Sequence, residues 1–244
     1  MSIKVIVNGA KGKMGQATVA AISADKGLSL VGKTDIGDDL VKAIKGLKAD
    51  VVVDFTHPSV VVKNVETILN AGASPVVGTT GLKAEDIKKL QKLAKSKKLG
   101  GLIAPNFCIG AVLMMKYAAD AAKHMPNVEI IEYHHDNKAD APSGTAVKTA
   151  EQILEANPKL KGPNVKSKEE LKGALGSELD NIRIHAVRLP GFVASQEVIL
   201  GGVGQTLKIR HDTINRESFM PGVVLACKKV KELNELLYGL EKVL

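Results

Sequence analysis

The N-terminal part of the chain alternates two hydrophobic rhythms. Short runs rich in β-branched residues, at Ile3 to Val7, Leu28 to Val31, Val51 to Phe55, Val76 to Val77 and Leu102 to Ala104, have the continuous apolar character of strands buried on both faces. Between them, Gly15 to Ala24, Val60 to Ala71 and Ala84 to Lys95 place apolar residues at three- and four-residue steps among helix formers, the spacing of a helix with one buried stripe. This alternation predicts a parallel sheet covered by helices on both faces, a Rossmann-type doubly wound α/β unit.

After Asn106 the rhythm changes. Ala111 to His124 reads as a helix, Val128 to Tyr133 as a strand, and Thr145 to Glu155 as a second helix after a polar loop. Asn157 to Gly176, rich in lysine, glycine and proline, reads as loop with room for one short helix. Ile182 to Arg188, Val193 to Leu200 and Thr206 to His211 alternate apolar and polar positions, as strands of a mixed or antiparallel sheet do. A last helix is expected from about Glu217 to Leu237. The pattern therefore predicts a doubly wound α/β domain over residues 1–106, an α+β domain over 107–215, and a C-terminal helix within 216–244 packing back on the first.

Composition narrows the function classes. The 244 residues, 45% hydrophobic, suffice for two cores. No run of about 18 apolar residues occurs, and the chain enters its first strand without a charged leader. A soluble, cytoplasmic protein with no membrane partner is expected. Cys108 and Cys227 lie far apart with no C-x-x-C spacing, which signals neither a disulfide framework nor a zinc site. The net charge of +8 invites a nucleic-acid reading. The excess is lysine, however: arginine stands only at Arg183, Arg188, Arg210 and Arg216, and tryptophan is absent. Groups for base readout and stacking are few, so no nucleic-acid partner is expected. The lysines from Lys83 to Lys98 flank Ile87, Leu90 and Leu93 at helical spacing, the signature of a solvated helix face rather than a phosphate-binding patch.

Candidate chemistry begins at the first strand end. Gly9-Ala10-Lys11-Gly12-Lys13-Met14-Gly15 joins a strand to a helix, and glycines there allow a pyrophosphate to approach amide N–H groups at the helix N-terminus. The spacing is G-x-x-G-x-x-G rather than G-x-G-x-x-G, so the strand–loop–helix context carries the dinucleotide reading. Asp35, just past the second strand, is placed to accept hydrogen bonds from the adenosine ribose and to repel a 2′-phosphate. NADH is thus expected to be preferred and NADPH tolerated, with Lys13 and Lys33 near enough in sequence to help the latter. An ordinary turn beside Gly37 and Asp38 is the alternative for Asp35. Gly78, Thr79 and Thr80 follow the fourth strand, and Ala104, Pro105, Asn106 and Phe107 the fifth. Both stretches are candidate nicotinamide contacts or plain turns.

The densest chemistry runs from Glu132 to Ala146. His134 and Lys138 are candidate proton donors. Ser143 reads as the N-cap of a helix whose first amides, at Gly144 and Thr145, suit a carboxylate. A metal held by His134, His135 and Asp136 is the alternative, although adjacent strand residues point to opposite faces.

The segment resembles the signature E-x-H-H-x-x-K-x-D-A-P-S-G-T-A of the 4-hydroxy-tetrahydrodipicolinate reductase family, matched at every specified position. The likeness extends over nearly the whole chain, through Gly9 to Gly15, Asp54-Phe55-Thr56, Gly78 to Gly81, Asn106-Phe107 and, in order, Gly204, His211, Arg216 and Phe219. Cys108 and Ser195 depart from the family's common serine and histidine. The resemblance implies an NAD(P)H-dependent reductase of the lysine route, typically a homotetramer built through the second domain's sheet. It implies that Gly9 to Met14, Asp35, Gly78 to Thr80 and Ala104 to Phe107 hold the cofactor. By the same resemblance His134 is proton donor or acceptor, Lys138 proton donor, and His135, Gly144 and Thr145 the clamp on a cyclic dicarboxylate, with no metal. The competing readings are another two-domain dehydrogenase and a non-catalytic dinucleotide sensor. The order of the motifs argues against the first, and the second does not account for titratable groups gathered beside a helix N-terminus.

Overall fold

The computed structural model describes residues 2–162 and 168–244. The chain divides into two compact units, Met1–Ile109 with Arg216–Leu244, and Gly110–Asn215.

The first unit is built on β1 (Ile3–Asn8), α1 (Lys13–Ala24), β2 (Leu28–Thr34), α2 (Leu40–Leu47), β3 (Val51–Asp54), α3 (Val61–Asn70), β4 (Ser74–Val77), α4 (Ala84–Lys97) and β5 (Gly101–Ile103). With a later strand, these form a six-stranded parallel sheet. Val5, Ile6, Val7, Val51, Val52 and Val53 are all fully buried, because successive side chains of one strand enter helix layers on opposite faces. Ile6 and Val52 pack with Ile44 of α2 and Ile68 of α3, while Val61, Val65 and Leu69 of α3 meet Leu90 and Ala94 of α4. The predicted strands and helices stand within a few residues of their expected ends. The periodicity did not yield α2, a short helix whose start is fixed when the Asp39 carboxylate accepts the Lys42 amide.

The second unit contains α5 (Ile109–Ala122), which begins at the boundary, β6 (Asn127–His134), α6 (Gly144–Ala156), β7 (Ser177–Leu179), β8 (Ile182–Arg188), β9 (Ala194–Gly202) and β10 (Gln205–Thr213). Its five-stranded sheet runs β10-β9-β6-β8-β7 and is mixed, with only β6 and β8 parallel. Along β6, Val128, Ile130 and Glu132 are buried, while Asn127 and Glu129 are exposed, so one face is covered and the other more open. The short helix allowed for in Asn157 to Gly176 is not found among the described residues of that stretch; residues 163–167 lie outside them.

The expected helix from Glu217 to Leu237 is not continuous. A 3-10 turn at Arg216–Phe219 leads into α7 (Met220–Lys229), and after a second 3-10 turn at Val230–Glu232 the chain becomes β11 (Leu236–Tyr238). This strand pairs in parallel with β5 through Leu236, Leu237 and Tyr238. Covering β5 removes an exposed row of backbone donors and acceptors, and it seats Leu236 and Leu240 at 1% exposure each. Those two gains outweigh the helical periodicity of the segment. The helix that does return, α7, packs on α1.

Candidate active site

Strand order 2-1-3 places a topological switch between β1 and β3, and ligands of open α/β sheets bind at such a point, outside the carboxyl ends of the strands. A cavity of about 620 Å³ opens there, lined by Asn8, Gly9, Gly12, Asp35, Thr56 and Asn64 among others. The glycines have separable jobs. Gly9 sits at φ 83°, and a Cβ on it would strike the Phe55 carbonyl. Gly12 is the N-cap of α1. A Cβ on Gly15 would strike the Gly9 carbonyl, so its absence lets the helix lie directly on the loop. Ala10 hydrogen-bonds through its amide to Thr34 O at 3.1 Å, while Lys11, Gly12 and Lys13 are exposed and Met14 is half-buried.

Asp35 is tied to this loop. Its carboxylate accepts the Lys11 amide at 2.8 Å and the Ile36 amide at 2.9 Å. Those two bonds, Lys11 first, hold its carboxyl below the usual carboxylate range. Beneath the cavity, the buried Asp54 side chain joins the strand ends. It accepts hydrogen bonds from Asn8 Nδ2 at 2.8 Å, Asn64 Nδ2 at 2.9 Å, Thr56 Oγ1 at 2.7 Å and Thr79 Oγ1 at 2.8 Å, and Thr34 Oγ1 donates to Asn8 Oδ1 at 2.8 Å. One carboxylate thus ties the ends of β1, β3 and β4, and through Asn8 that of β2.

The remaining expected cofactor residues divide in two. Thr80 and Pro105 are exposed beyond β4 and β5. The others are structural in their contacts. A Cβ on Gly78 would enter the Phe55 ring, and Thr79 is bound to Asp54. Ala104 is 2% exposed, and Asn106 Oδ1 accepts the Cys108 amide at 2.8 Å. Phe107, also 2% exposed, packs edge-on against Phe55 with centroids 6.0 Å apart.

In the second unit the signature segment folds around Glu132, whose side chain is fully buried. Its Oε2 meets His134 Nδ1 at 2.5 Å and Arg188 Nη1 at 2.8 Å. Its Oε1 accepts from Arg188 Nη2 at 2.7 Å and from the Ser143 amide at 3.0 Å. Burial pushes this carboxyl up, but the hydrogen bonds from His134 and Arg188 more than offset it and hold it at about 2. Ser143 is the N-cap of α6, its Oγ accepting the Ala146 amide at 3.2 Å, so the first amides, at Gly144 and Thr145, have no partner within the helix. Lys138 Nζ lies 2.6 Å from Asp140 Oδ1, which draws the Asp140 carboxyl below its ordinary value. Arg188 Nη2 also donates to the Asp140 carbonyl at 2.8 Å. His134 and Lys138 are thus linked to the same anchored loop as Ser143, Gly144 and Thr145, while His135 is exposed and its carbonyl accepts the Lys138 amide. Among the described residues no group of three or more His, Cys, Asp or Glu side chains is arranged to hold a metal.

Family models for the N-terminus and the C-terminus of dihydrodipicolinate reductase match residues 3–107 and 110–244. The chain belongs to the dihydrodipicolinate reductase family. It is 50% identical to the 4-hydroxy-tetrahydrodipicolinate reductase of Syntrophomonas wolfei, over 99% of this chain and 98% of that protein. The enzyme of the same name from Coxiella burnetii is 51% identical, with both chains fully covered. The dipicolinate-bound dihydrodipicolinate reductase of Paenisporosarcina sp. TG-14 superposes with a TM-score of 0.94 at 42% identity, each chain covered completely.

Membership of this NAD(P)H-dependent reductase family accounts for the two clusters, a dinucleotide fold in one unit and proton-bearing groups beside a helix N-terminus in the other. Sequence reasoning assigned no organising role to the residues that hold them together: Asp54, noted only within the Asp54-Phe55-Thr56 motif, and Asn64 in the first, and Glu132, noted only within the signature, and Arg188 in the second. The available signal was an acidic residue at a buried strand position, Asp54 closing Val51-Val52-Val53 and Glu132 following Ile130 in β6 at the buried period. A charge in such a place requires buried partners.

Proposed function

We propose that the chain reduces 4-hydroxy-tetrahydrodipicolinate to tetrahydrodipicolinate with loss of water, in the diaminopimelate route to lysine. The reading is carried by one observation: His134, Lys138 and the open N-terminus of α6 are all anchored to one buried ion pair at the end of β6. The loop suits a pyrophosphate because Gly9 and Gly12 line the cavity and Gly12 caps the N-terminus of α1, where free amides and the helix dipole favour an anion. When bound, the reduced nicotinamide supplies a hydride to the substrate's conjugated system. Gly9 to Met14 would hold the dinucleotide, Asp35 its ribose, and Gly78 to Thr80 with Ala104 to Phe107 would border the nicotinamide end.

The amides of Gly144 and Thr145, with the α6 dipole behind them, suit one substrate carboxylate. Ser143 frames that site as its cap, and the exposed His135 would meet a second acceptor of the ring. As negative charge develops toward the ring nitrogen, Lys138 stands as a donor whose attraction is greater in the transition state than in the ground state, and His134, with Nδ1 turned to Glu132, offers Nε2 as the atom that gives or takes a proton. Asp140 keeps the Lys138 ammonium in place until substrate arrives.

The finer points follow from the same groups. The cavity lining contains two carboxylates, Asp35 and Asp38, and no lysine or arginine, which favours NADH over NADPH while leaving both usable. A homotetramer through the open face of the second sheet is proposed, supported by β9 and β10, whose paired length from Ala194 to Thr213 carries Leu207 and Val203 to the surface. No helix among the described residues is long and apolar enough to cross a membrane, in keeping with work in the cytoplasm on a diffusible dicarboxylate. Product analysis tests the reaction. With NADH deuterated at C4 on the transferred face, tetrahydrodipicolinate carrying one deuterium is the expected product, and unlabelled or unreduced material contradicts the reading.

A further inference from the structure

Glu132 and Arg188 form a saturated pair. Two atoms of the carboxylate receive donors from His134, Arg188 twice, and the Ser143 amide. The two terminal nitrogens of Arg188 are equally committed, Nη1 to Glu132 and the Val187 carbonyl, Nη2 to Glu132 and the Asp140 carbonyl. Its Nε is buried and without a partner. The Glu132 carboxylate therefore has its acceptor sites taken up by the protein, and Arg188 keeps only the buried Nε uncommitted.

What the pair can do is set geometry. Because Glu132 is acceptor-only when ionised, His134 must present Nδ1–H to it, which leaves Nε2 as the ring atom facing away. The same carboxylate fixes the amide of the α6 cap, and its arginine partner fixes the carbonyl of Asp140, the residue whose side chain holds Lys138. We propose that Glu132, backed by Arg188, is a positioning residue that sets the tautomer of His134 and keeps His134, Lys138 and the α6 N-terminus in register with one another. The inference rests on the function proposed above, in which those three are the proton donors and the carboxylate site.

The test uses the full-length protein. Long-range ¹H–¹⁵N spectra of the histidine rings, with His134 assigned by its loss in His134→Gln, should show Nδ1–H for His134 near neutral pH in the wild type. Glu132→Gln, close in shape but able to donate as well as accept, should disturb that tautomer and lower kcat about 10- to 100-fold, by analogy with the loss when the partner of a metal-ligating histidine is removed. The KM for NADH should not change, since the cofactor cradle lies in the other unit. A wild-type Nε2–H tautomer overturns the proposal even if Glu132→Gln fails to fold. So does a folded Glu132→Gln with wild-type kcat. Absence of turnover in the wild type would instead sink the functional reading, while the tautomer still reports on the pair.

Discussion

Glu132 carries its charge in a place where an unpaired carboxylate would be strongly disfavoured, and its three partners reverse that sign. With the folded carboxyl near 2 against an ordinary 4.5, its contribution to stability is complete above about pH 4.5 and is lost as pH falls through about 2. The size is on the order of 3 kcal/mol. Urea unfolding between pH 6 and pH 2.5 should show the wild type losing stability on that limb, and Glu132→Gln, already weaker at neutral pH, should show a flatter acid limb; parallel curves would contradict it. Asp35 makes a second residue-scale prediction. Asp35→Asn keeps an acceptor for the Lys11 amide but removes the charge that opposes a 2′-phosphate, so the NADPH-to-NADH ratio of kcat/KM should rise by about tenfold, equivalent to about 1.4 kcal/mol; an unchanged ratio would leave Asp35 as a loop brace only. Neither Glu132 nor Asp54 was legible as an organiser in sequence, because Arg188 is 56 positions from Glu132 and Thr79 is 25 from Asp54. The Ser143 cap was legible, and His134 and Lys138 could be proposed beside it, since their chemistry and spacing are local.

At the scale of elements, what could be read was what has a period. The buried strands of the first sheet and the amphipathic α3 and α4 follow directly from side-chain alternation. Where two periods compete, tertiary pairing decides. The segment after Lys229 is apolar enough for either helix or strand, and it becomes β11 because β5 offers an unpaired edge. The outcome is testable at Leu236, which is buried with Leu90 and Ile103. Leu236→Ala should cost about 2–5 kcal/mol by removing buried methyl groups, read as a lower urea midpoint. A loss of a few tenths would mean that β11 is not part of the core. Helix α2 escaped the periodicity because it is only eight residues long, and helices of that length are held by caps and packing rather than by their own propensity.

The whole molecule combines a unit built on a parallel sheet and a unit built on a mixed sheet in one chain that enters the second near Gly110 and leaves it near Asn215. Its charge of +8 is spread over surface lysines such as those of α4 and suits an anionic cofactor and a dicarboxylate through long-range attraction, which falls with salt. The proposed tetramer predicts a single species of about four chain masses by sedimentation velocity, and a monodisperse monomer at working concentration would refute it. The central claim is the reaction itself. Its most direct measurement is the loss of absorbance at 340 nm from NADH when freshly generated 4-hydroxy-tetrahydrodipicolinate is added, with Lys138→Ala run beside the wild type. The account predicts turnover by the wild type and a fall of at least about 100-fold in the variant. No NADH or NADPH consumption by folded wild-type protein, or full activity in Lys138→Ala, would contradict it.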